Sequence, residues 1–285
     1  TQNVISQATV HPLPNVFAGN PITVCANVPV VLTGSGASTY EWNNNVTNAI
    51  PFTPTDTTTY TVIGTDINGC KNIDSTTVNV VPIPQMDFSA VNTYGCSPVI
   101  PTFTNHSSGN LTNCTWSLGN GQTIQNCDSI TAVFDYPGCF DVTLTVSTPE
   151  GCSNFMTIQN LVCVEANPIA EFHPDPAILS TYDWETTMVN ESSGAVTYYW
   201  TFGDGTGPST LHSPTHAYPN NEGGFYNVTL IATSAAGCVD TAYATIEVKD
   251  ELLFYVPNSF TPDGDQYNET FKPIFSECDS PYIST

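Results

Sequence analysis

The chain has 285 residues and a formal net charge of −23, with 3 lysine or arginine residues against 26 aspartates and glutamates. A surface this acidic repels nucleic acid and anionic lipid, so neither is an expected partner. Only 10% of the residues are charged, while threonine, asparagine, serine, proline and glycine are abundant. This composition argues against a helical protein and favours short strands joined by turns.

The cysteines indicate the compartment. Ten cysteines without a Cys-x-x-Cys pair favour disulfides over zinc, and therefore an oxidising, extracellular environment. No apolar run approaches the roughly 20 residues of a membrane-spanning helix, so no membrane span is predicted. The chain starts at Thr1 without a signal peptide, and we expect it to be an excised or processed piece of a secreted protein.

A repeat organises the chain. The dipeptide Gly-Cys recurs at Gly69-Cys70, Gly151-Cys152 and Gly237-Cys238. Each copy follows a segment in which apolar residues alternate with polar ones, which is typical of a half-buried antiparallel strand. We therefore predict that each Gly-Cys lies in a hairpin turn before the last strand of an all-β sandwich module.

Residues 1–14 precede the first complete module. They end in Thr9-Val10-His11-Pro12-Leu13-Pro14, which we interpret as the last strand and the linker of a preceding module. Similar linkers follow at Val80-Val81-Pro82-Ile83-Pro84 and at Val164-Glu165-Ala166-Asn167-Pro168. Because proline stiffens such joints, we expect tandem modules to form a semi-rigid rod.

The first module, residues 15–82, is predicted to be immunoglobulin-like. It has two cysteines, Cys25 at an early strand and Cys70 in the late hairpin. We predict a Cys25–Cys70 disulfide. Closing a loop of this length stabilises a fold by roughly 4 kcal/mol in the chain-entropy model.

The second module, residues 83–167, has six cysteines. By the same topology we pair Cys96 with Cys152. Cys139 opens a strand and Cys163 ends the antiparallel strand after it, so these two are predicted to lie opposite each other. The remaining pair is Cys114–Cys127, which would bridge the hairpin that carries Asn120.

The third module, residues 168–249, has the most distinctive stretch of the chain. Tyr199-Trp200-Thr201-Phe202-Gly203-Asp204-Gly205 is an alternating strand followed by an acidic glycine turn. Thr181 occupies the early-strand position where the other modules have a cysteine. We therefore predict a Cys238–Cys278 bridge, and the alternative is that Cys278 bonds a residue beyond Thr285.

Residues 250–285 form a turn-rich tail that we expect to be the first part of a further β-domain. Several hard oxygen ligands lie close together there, a pattern that calcium prefers. These candidate calcium ligands are Asp263, Asp265, Asn268 and Glu269. The spacing differs from that of an EF-hand, and Asp-Gly-Asp is also a common turn, so both interpretations stay open.

Two modules resemble the PKD domain, an immunoglobulin-like module of surface proteins. The third module carries the resemblance in Tyr199–Gly205, in Ser213–Tyr218 and in Tyr226–Leu230. The second module departs from it, with Leu118 and Asn120 in its turn and Phe134-Asp135-Tyr136 where the family has His-x-Tyr. The first module is similar to a related immunoglobulin-like repeat.

The tail resembles the gliding-motility-associated C-terminal domain of Bacteroidetes proteins. The resemblance lies in Val256-Pro257-Asn258-Ser259-Phe260-Thr261-Pro262-Asp263-Gly264-Asp265. In that family the domain is the sorting signal of the type IX secretion system, and its owners include very large adhesins. The resemblance implies the type IX translocon and its shuttle as partners, and a location at the cell surface.

Bacteroidetes proteins similar to this one are also O-glycosylated at Asp-Ser/Thr triplets. The resemblance therefore implies candidate glycosylation at Thr57, Ser75, Ser129 and Thr241. The alternative is that Asp-Ser/Thr is simply frequent in β-turns.

No catalytic constellation stands out in the sequence. His212 and His216 are separated by Pro214, which excludes a helix that would place both on one face. Trp200 and Phe202 are predicted to be core residues rather than a sugar-binding platform. We find no nucleophile elbow or phosphate loop, and predict that the chain is not an enzyme.

The preferred interpretation is a stalk and secretion-signal region of a large secreted adhesin, whose distal modules bind a surface glycan or protein. The alternative is an accessory stalk of a secreted enzyme that degrades polysaccharide or protein. A third candidate is a carbohydrate-binding module, whose only local aromatic cluster is Tyr182, Trp184, Tyr198 and Tyr199.

Overall fold

The computed structural model describes residues 10–219 and 223–250, together with the backbone of two short strands at 254–255 and 274–275. All regular structure in this part of the chain is β-strand. The chain divides into two compact units between Val164 and Glu165. The first unit contains two β-sandwiches and the second contains one.

In the first sandwich, the main sheet has the strand order β1-β6-β5-β3, and β2 pairs with β4. In chain order the strands are β1 (Ile22–Cys25), β2 (Val30–Val31), β3 (Thr39–Trp42), β4 (Pro51–Phe52), β5 (Thr58–Thr65) and β6 (Lys71–Val81). Tyr60 and Val62 alternate with more exposed residues along β5 and point into the core, as the sequence pattern predicts. Strand β1 runs parallel to β6, with Cys25 opposite Val81.

The second sandwich packs a sheet of order β11-β10-β13-β14-β8 against one of order β12-β9-β7. Its strands are β7 (Phe88–Val91), β8 (Tyr94–Cys96), β9 (Thr102–Asn105), β10 (Asn113–Ser117), β11 (Thr123–Gln125), β12 (Ser129–Thr131), β13 (Gly138–Ser147) and β14 (Ser153–Glu165). Trp116 is fully buried between the sheets, where Phe88 and Phe103 contact its ring.

The third sandwich has sheets of order β15-β17-β19 and β16-β21-β20-β18. Its strands are β15 (Phe172–Asp175), β16 (Ile178–Ser180), β17 (Glu185–Asn190), β18 (Thr197–Thr201), β19 (Thr215–Ala217), β20 (Gly224–Thr233) and β21 (Val239–Lys249). Trp200 is completely buried and Phe202 is 4% exposed, which confirms the prediction that both are core residues.

Two short strands follow, β22 (Phe254–Tyr255) and β23 (Ile274–Phe275), and they pair antiparallel. The rest of the predicted sorting segment lies outside the described residues. The same holds for the candidate calcium ligands Asp263, Asp265, Asn268 and Glu269, and for Cys278.

The three Gly-Cys dipeptides form the same hairpin turn, between β5 and β6, β13 and β14, and β20 and β21. In each turn the amide of the residue four positions before the cysteine donates to the cysteine carbonyl, over 3.0 Å at Asp66, 2.9 Å at Thr148 and 2.8 Å at Ser234. Each turn glycine has a φ between 82° and 87°, which glycine adopts without strain. The predicted position of this turn is therefore confirmed.

The structure contains two of the predicted disulfides, Cys114–Cys127 and Cys139–Cys163. Cys139 and Cys163 lie directly opposite each other in the antiparallel pair β13–β14, as their sequence positions predict. Cys114 lies on β10 and Cys127 lies two residues after β11, so their bond closes the hairpin that contains Asn120.

Two predicted pairings, Cys25–Cys70 and Cys96–Cys152, are wrong, because Cys25 is bonded to Cys152. Cys25 lies opposite Val81, at one end of β6, whereas Cys70 precedes the other end. At about 3.3 Å per residue, a strand of 11 residues separates them by roughly 35 Å. A disulfide requires Cα atoms within about 7 Å.

The same topology separates Cys96 from Cys152. Strand β8 lies beside β14, and the Cys163 amide near the end of β14 donates to the Thr93 carbonyl just before β8. Cys152 precedes the opposite end of this strand of 13 residues. Cys96 and Cys238 are each disulfide-bonded, and the predicted Cys238–Cys278 bridge involves a residue outside the described part of the chain.

Candidate functional site

The acidic turn of the third module lies at the end of β18, where alternation directs Trp200 and Phe202 inward. The Trp200 indole Nε1 donates to the Leu211 carbonyl over 2.9 Å, so the buried ring has no unsatisfied donor. Gly203 follows with a φ of 83°, and a Cβ there would lie 2.5 Å from the backbone oxygen of Asn227. Only glycine fits at this position, because the turn passes directly against the backbone of β20.

The turn positions a buried carboxylate against a histidine. Asp204 Oδ2 lies 2.8 Å from His216 Nε2, and the two side chains are 1% and 12% exposed. Asp204 Oδ1 accepts hydrogen bonds from the Thr206 amide over 3.1 Å and the Thr206 hydroxyl over 2.6 Å. The carboxylate therefore has a partner on each oxygen, which compensates its burial.

Two aromatic rings complete the arrangement. The His216 ring stacks on Phe202 with centroids 3.9 Å apart and planes at 2°. The Tyr218 hydroxyl donates to the Phe202 carbonyl over 3.2 Å, and its ring meets His216 edge-on. We call Phe202, Asp204, Thr206, His216 and Tyr218 the hairpin cluster.

The electrostatics keep Asp204 ionised. Burial raises the pKa of its carboxyl group, but the hydrogen bonds from Thr206 and His216 outweigh burial and hold this pKa below its usual value. Burial is also the main reason why the pKa of Tyr218 is raised well above its usual value, with a smaller contribution from the Asp204 charge. Tyr218 thus stays protonated and keeps donating its hydrogen bond.

The hairpin cluster pairs a histidine with a carboxylate, and in the described part of the chain no hydroxyl or thiol is hydrogen-bonded to that histidine. Among the described hydrogen bonds, His216 contacts Asp204 and no hydroxyl or thiol. His212 bonds Ser213 and packs on Tyr198. The contacts of His216 and Tyr218 with Asp204 and Phe202 form a clamp that ties the turn after β18 to β19 and the residue that follows it.

The second module uses a different clamp at the corresponding turn. Asn120 replaces the aspartate, and its side-chain amide donates to the Val133 carbonyl over 3.3 Å. The Phe134 amide donates to Val99 as the Tyr218 amide donates to Trp184, so Phe134 is the counterpart of Tyr218.

This correspondence corrects the predicted alignment of Phe134-Asp135-Tyr136 with His-x-Tyr. The structure instead places Ala132 where the third module has His216. Tyr136 is 78% exposed, whereas Phe134 is 1% exposed. The spacing is the same in both modules, since Ala132 and His216 each lie 16 residues after the tryptophan of their own module. The prediction matched Phe134-Asp135-Tyr136 by residue type and so shifted the alignment by two residues.

The second candidate site is the bridge between the first two modules. The Sγ atoms of Cys25 and Cys152 are 2.04 Å apart, and their Cα atoms are 5.5 Å apart. Cys25 ends β1 of the first sandwich, and Cys152 lies in the Gly-Cys hairpin of the second. The sequence pattern marked both cysteines but not their partnership, because pairing across modules depends on how the modules meet.

The candidate glycosylation residues lie on the strands or turns of the modules. Thr57, Ser75 and Ser129 are exposed, and Thr241 is half-buried. The Thr57 hydroxyl accepts a hydrogen bond from the Val80 amide over 3.0 Å. Ser129 bonds Thr104 across the paired strands β9 and β12. Three of the four residues are thus exposed, and the hydroxyls of two of them, Thr57 and Ser129, are hydrogen-bonded.

The aromatic cluster considered for sugar binding does not form one face. Tyr198 is half-buried in the core, while Tyr199 next to it is 44% exposed. Tyr182 is 49% exposed and Trp184 is half-buried. In the described residues no group of three or more histidine, cysteine, aspartate or glutamate side chains is arranged to hold a metal ion. That part also contains no helix long and apolar enough to cross a membrane.

Comparisons with known proteins identify the modules. The family model described as PKD domain matches residues 79–162 and 165–249. No curated protein sequence matches the chain.

The chain is also similar to parts of solved structures. The PKD1 domain of the metalloprotease PrtV from Vibrio cholerae is 33% identical over 29% of this chain and 98% of that chain, with a TM-score of 0.25. The PKD1 domain of Epp from Vibrio anguillarum is 26% identical over 30% of this chain and 96% of that chain, with a TM-score of 0.26. A Ca²⁺-stabilised adhesin of an Antarctic bacterium that binds ice is 12% identical over 90% and 79% of the two chains, with a TM-score of 0.38.

Proposed function

We propose that the chain is a non-catalytic stalk of a large secreted cell-surface adhesin. The chain belongs to the PKD domain family, because the model of that family matches more than half of the 285 residues. The Cys25–Cys152 bridge is the observation that carries this proposal. A covalent bond between two sandwiches serves no chemistry, but it holds adjacent modules together under load. Disulfides of this kind persist only in an oxidising compartment.

The charge and the cores support the same role. A net charge of −23 keeps neighbouring stalks apart through mutual repulsion. Each of the three sandwiches has its own buried cluster centred on a tryptophan, namely Trp42, Trp116 and Trp200. Modules with independent cores suit a chain that spaces a distal binding part from the cell.

The tail supplies the export part of the proposal. The segment Val256–Asp265 supports a type IX sorting domain that begins within residues 250–285, with the type IX translocon and its shuttle as partners. This origin also implies a gliding or attachment role in a Bacteroidetes cell, O-glycans at the exposed Asp-Ser/Thr positions, and calcium in the tail. The surface glycan or protein ligand would belong to distal modules.

One observation favours a second candidate. The 33% identical relative is a PKD domain of a metalloprotease, so this chain is also suited to be the accessory stalk of a secreted enzyme. In both candidates the chain spaces a functional part from an attachment point, and the candidates differ in what that part is.

The test is the intact mass of the native polypeptide, with peptide sequencing on both sides of residues 1–285. We expect several hundred kilodaltons of further β modules and the later strands of a sorting domain. A single upstream domain with a recognisable active site would refute the adhesin and support the enzyme stalk. Binding of residues 1–285 alone to a glycan array would instead contradict a passive stalk and favour a carbohydrate-binding module.

A further inference from the structure

Cys70 differs from the other cysteines that the structure describes. It is unbonded and half-buried, in the Gly-Cys hairpin of the first module. The cysteines at the same place in the other two hairpins, Cys152 and Cys238, are both disulfide-bonded and are each 1% exposed. The hairpin position is therefore a bonding position that is unused in the first module.

The three hairpins are built alike. In each, the turn glycine donates its amide to the residue three positions before it, over 3.1 Å at Gly69, 3.0 Å at Gly151 and 3.0 Å at Gly237. The cysteine thus follows the turn in the same orientation at each repeat. The backbone around Cys70 does not differ in a way that explains its lack of a partner.

The chain also enters the first two modules in the same way. Asn154 Nδ2 donates to the carbonyl of Pro84 over 2.9 Å, two residues after Cys152. Asn72 Nδ2 donates to the carbonyl of Pro14 over 2.9 Å, two residues after Cys70. Pro14 and Pro84 are both buried and end the matching segments Pro12-Leu13-Pro14 and Pro82-Ile83-Pro84.

In the second module this docking brings the partner cysteine into place. Cys25 lies opposite Val81, the residue directly before the linker Pro82–Pro84, and the Ala26 amide donates to the Val81 carbonyl over 2.8 Å. Holding Pro84 against Asn154 therefore also holds the end of β1 near Cys152. The same contact at Pro14 would hold the last strand of an entering module near Cys70.

We propose that Cys70 forms an intermodule disulfide with a further β-sandwich module joined through Pro12–Pro14. Its partner is the cysteine at the end of that module's first edge strand, the position that Cys25 holds in the first module. The two thiols lose two protons and two electrons, which pass by thiol–disulfide exchange to an oxidant that carries a disulfide. The bond is independent of whether the distal part is an adhesin or an enzyme.

A duplicated module tests the proposal. A second copy of residues 10–81 that carries Cys70→Ser is placed directly before Pro12, so that Pro12-Leu13-Pro14 follows Val81 as Pro82-Ile83-Pro84 does. The copy adds one cysteine, its own Cys25. Thiols are counted by maleimide labelling in denaturant without reductant, and peptide mapping locates the bonds.

The expected result is one labelled thiol fewer than in the unextended chain, with the added Cys25 bonded to Cys70. The matched control carries Cys25→Ser in the added copy and should give the same count as the unextended chain. A count that is not lower, with the Cys25–Cys152 bridge intact in the same molecules, overturns the proposal.

A second measurement does not depend on the folding of the added copy. In the unextended chain without denaturant, maleimide should label Cys70 readily. A thiol that bonds a cysteine of another module must be accessible from outside its own module when that module is absent. A Cys70 that resists labelling in the folded chain, or that is found bonded to Cys278, also overturns the proposal.

Discussion

Replacing His216 by alanine tests whether the hairpin cluster stabilises the third module. The substitution removes the hydrogen bond to Asp204 Oδ2 and the ring stacked on Phe202. A hydrogen bond to a charged group contributes about 1.5–3 kcal/mol, and a packed ring pair adds roughly 0.5–1.5 kcal/mol. While His216 is in place, the Asp204 side chain is 1% exposed, so its charge depends on these protein donors rather than on solvent.

We therefore expect His216→Ala to lower the free energy of unfolding of the third module by about 3 kcal/mol. For a module of this size, that corresponds to a drop in Tm of roughly 12–24 °C. Differential scanning calorimetry of the whole chain measures this, because the transitions of the other modules serve as internal references. A drop in Tm shared equally by all transitions would contradict the assignment to one module.

The second module provides the matched control, since it has Asn120 and Ala132 at the corresponding positions. In the double variant Asp204→Asn with His216→Ala, no buried charge is left without its partner. The double variant should therefore lose less stability than the sum of the two single variants, by at least about 1 kcal/mol. Additive losses, or a loss of less than about 0.5 kcal/mol in His216→Ala, would refute the clamp.

Three further predictions concern other parts of the structure. Gly203→Ala should destabilise the third module by about 2–4 kcal/mol in urea unfolding, because the added Cβ would meet the backbone of β20. In the control Gly207→Ala the added Cβ faces open space, and the effect on stability should be within about 0.5 kcal/mol. The pKa of Asp204 is lowered in the folded state, so the unfolded chain binds the proton more tightly and ionised Asp204 stabilises the fold. This contribution to stability is present above the unfolded pKa and is lost as pH falls below about 4. The Tm of Asp204→Asn should therefore fall less steeply with decreasing pH than that of the unsubstituted chain. Cleavage at a protease site inserted in the linker Pro82–Pro84 should leave one band on a non-reducing gel and two after reduction, and Cys25→Ser should give two bands in both.

Sequence reasoning succeeded where structure is set by neighbours in the chain. Alternation along β18 places Trp200 in the core, and the glycine turn fixes the hairpin after it. The Cys139–Cys163 bridge also follows from local pairing, because an antiparallel hairpin brings the two strands together in a register that can be counted.

Prediction from the sequence failed where the structure depends on contacts between distant segments. Nothing in the residues Ile22–Cys25 shows that β1 lies parallel to β6, so the end of the sandwich that Cys25 occupies was not predictable. The counterpart of His216 in the second module was missed for a different reason, because Phe134-Asp135-Tyr136 was matched to His-x-Tyr by residue type. Counting gives the correct register, because Ala132 and His216 each lie 16 residues after the tryptophan of their own module.

The location of the bridge explains how a repeated hairpin can connect tandem modules. Cys25 lies opposite Val81, directly before the proline linker, so the Cys25–Cys152 bond crosses the same junction as the linker. Two covalent connections then join the first and second modules, and breaking either one leaves them attached. Because the Gly-Cys turn is identical in every module, the position for such a connection is supplied at each repeat by local sequence alone. At the junction of the first and second modules the bond also requires a cysteine at the end of the neighbouring module's first edge strand, which is the position of Cys25.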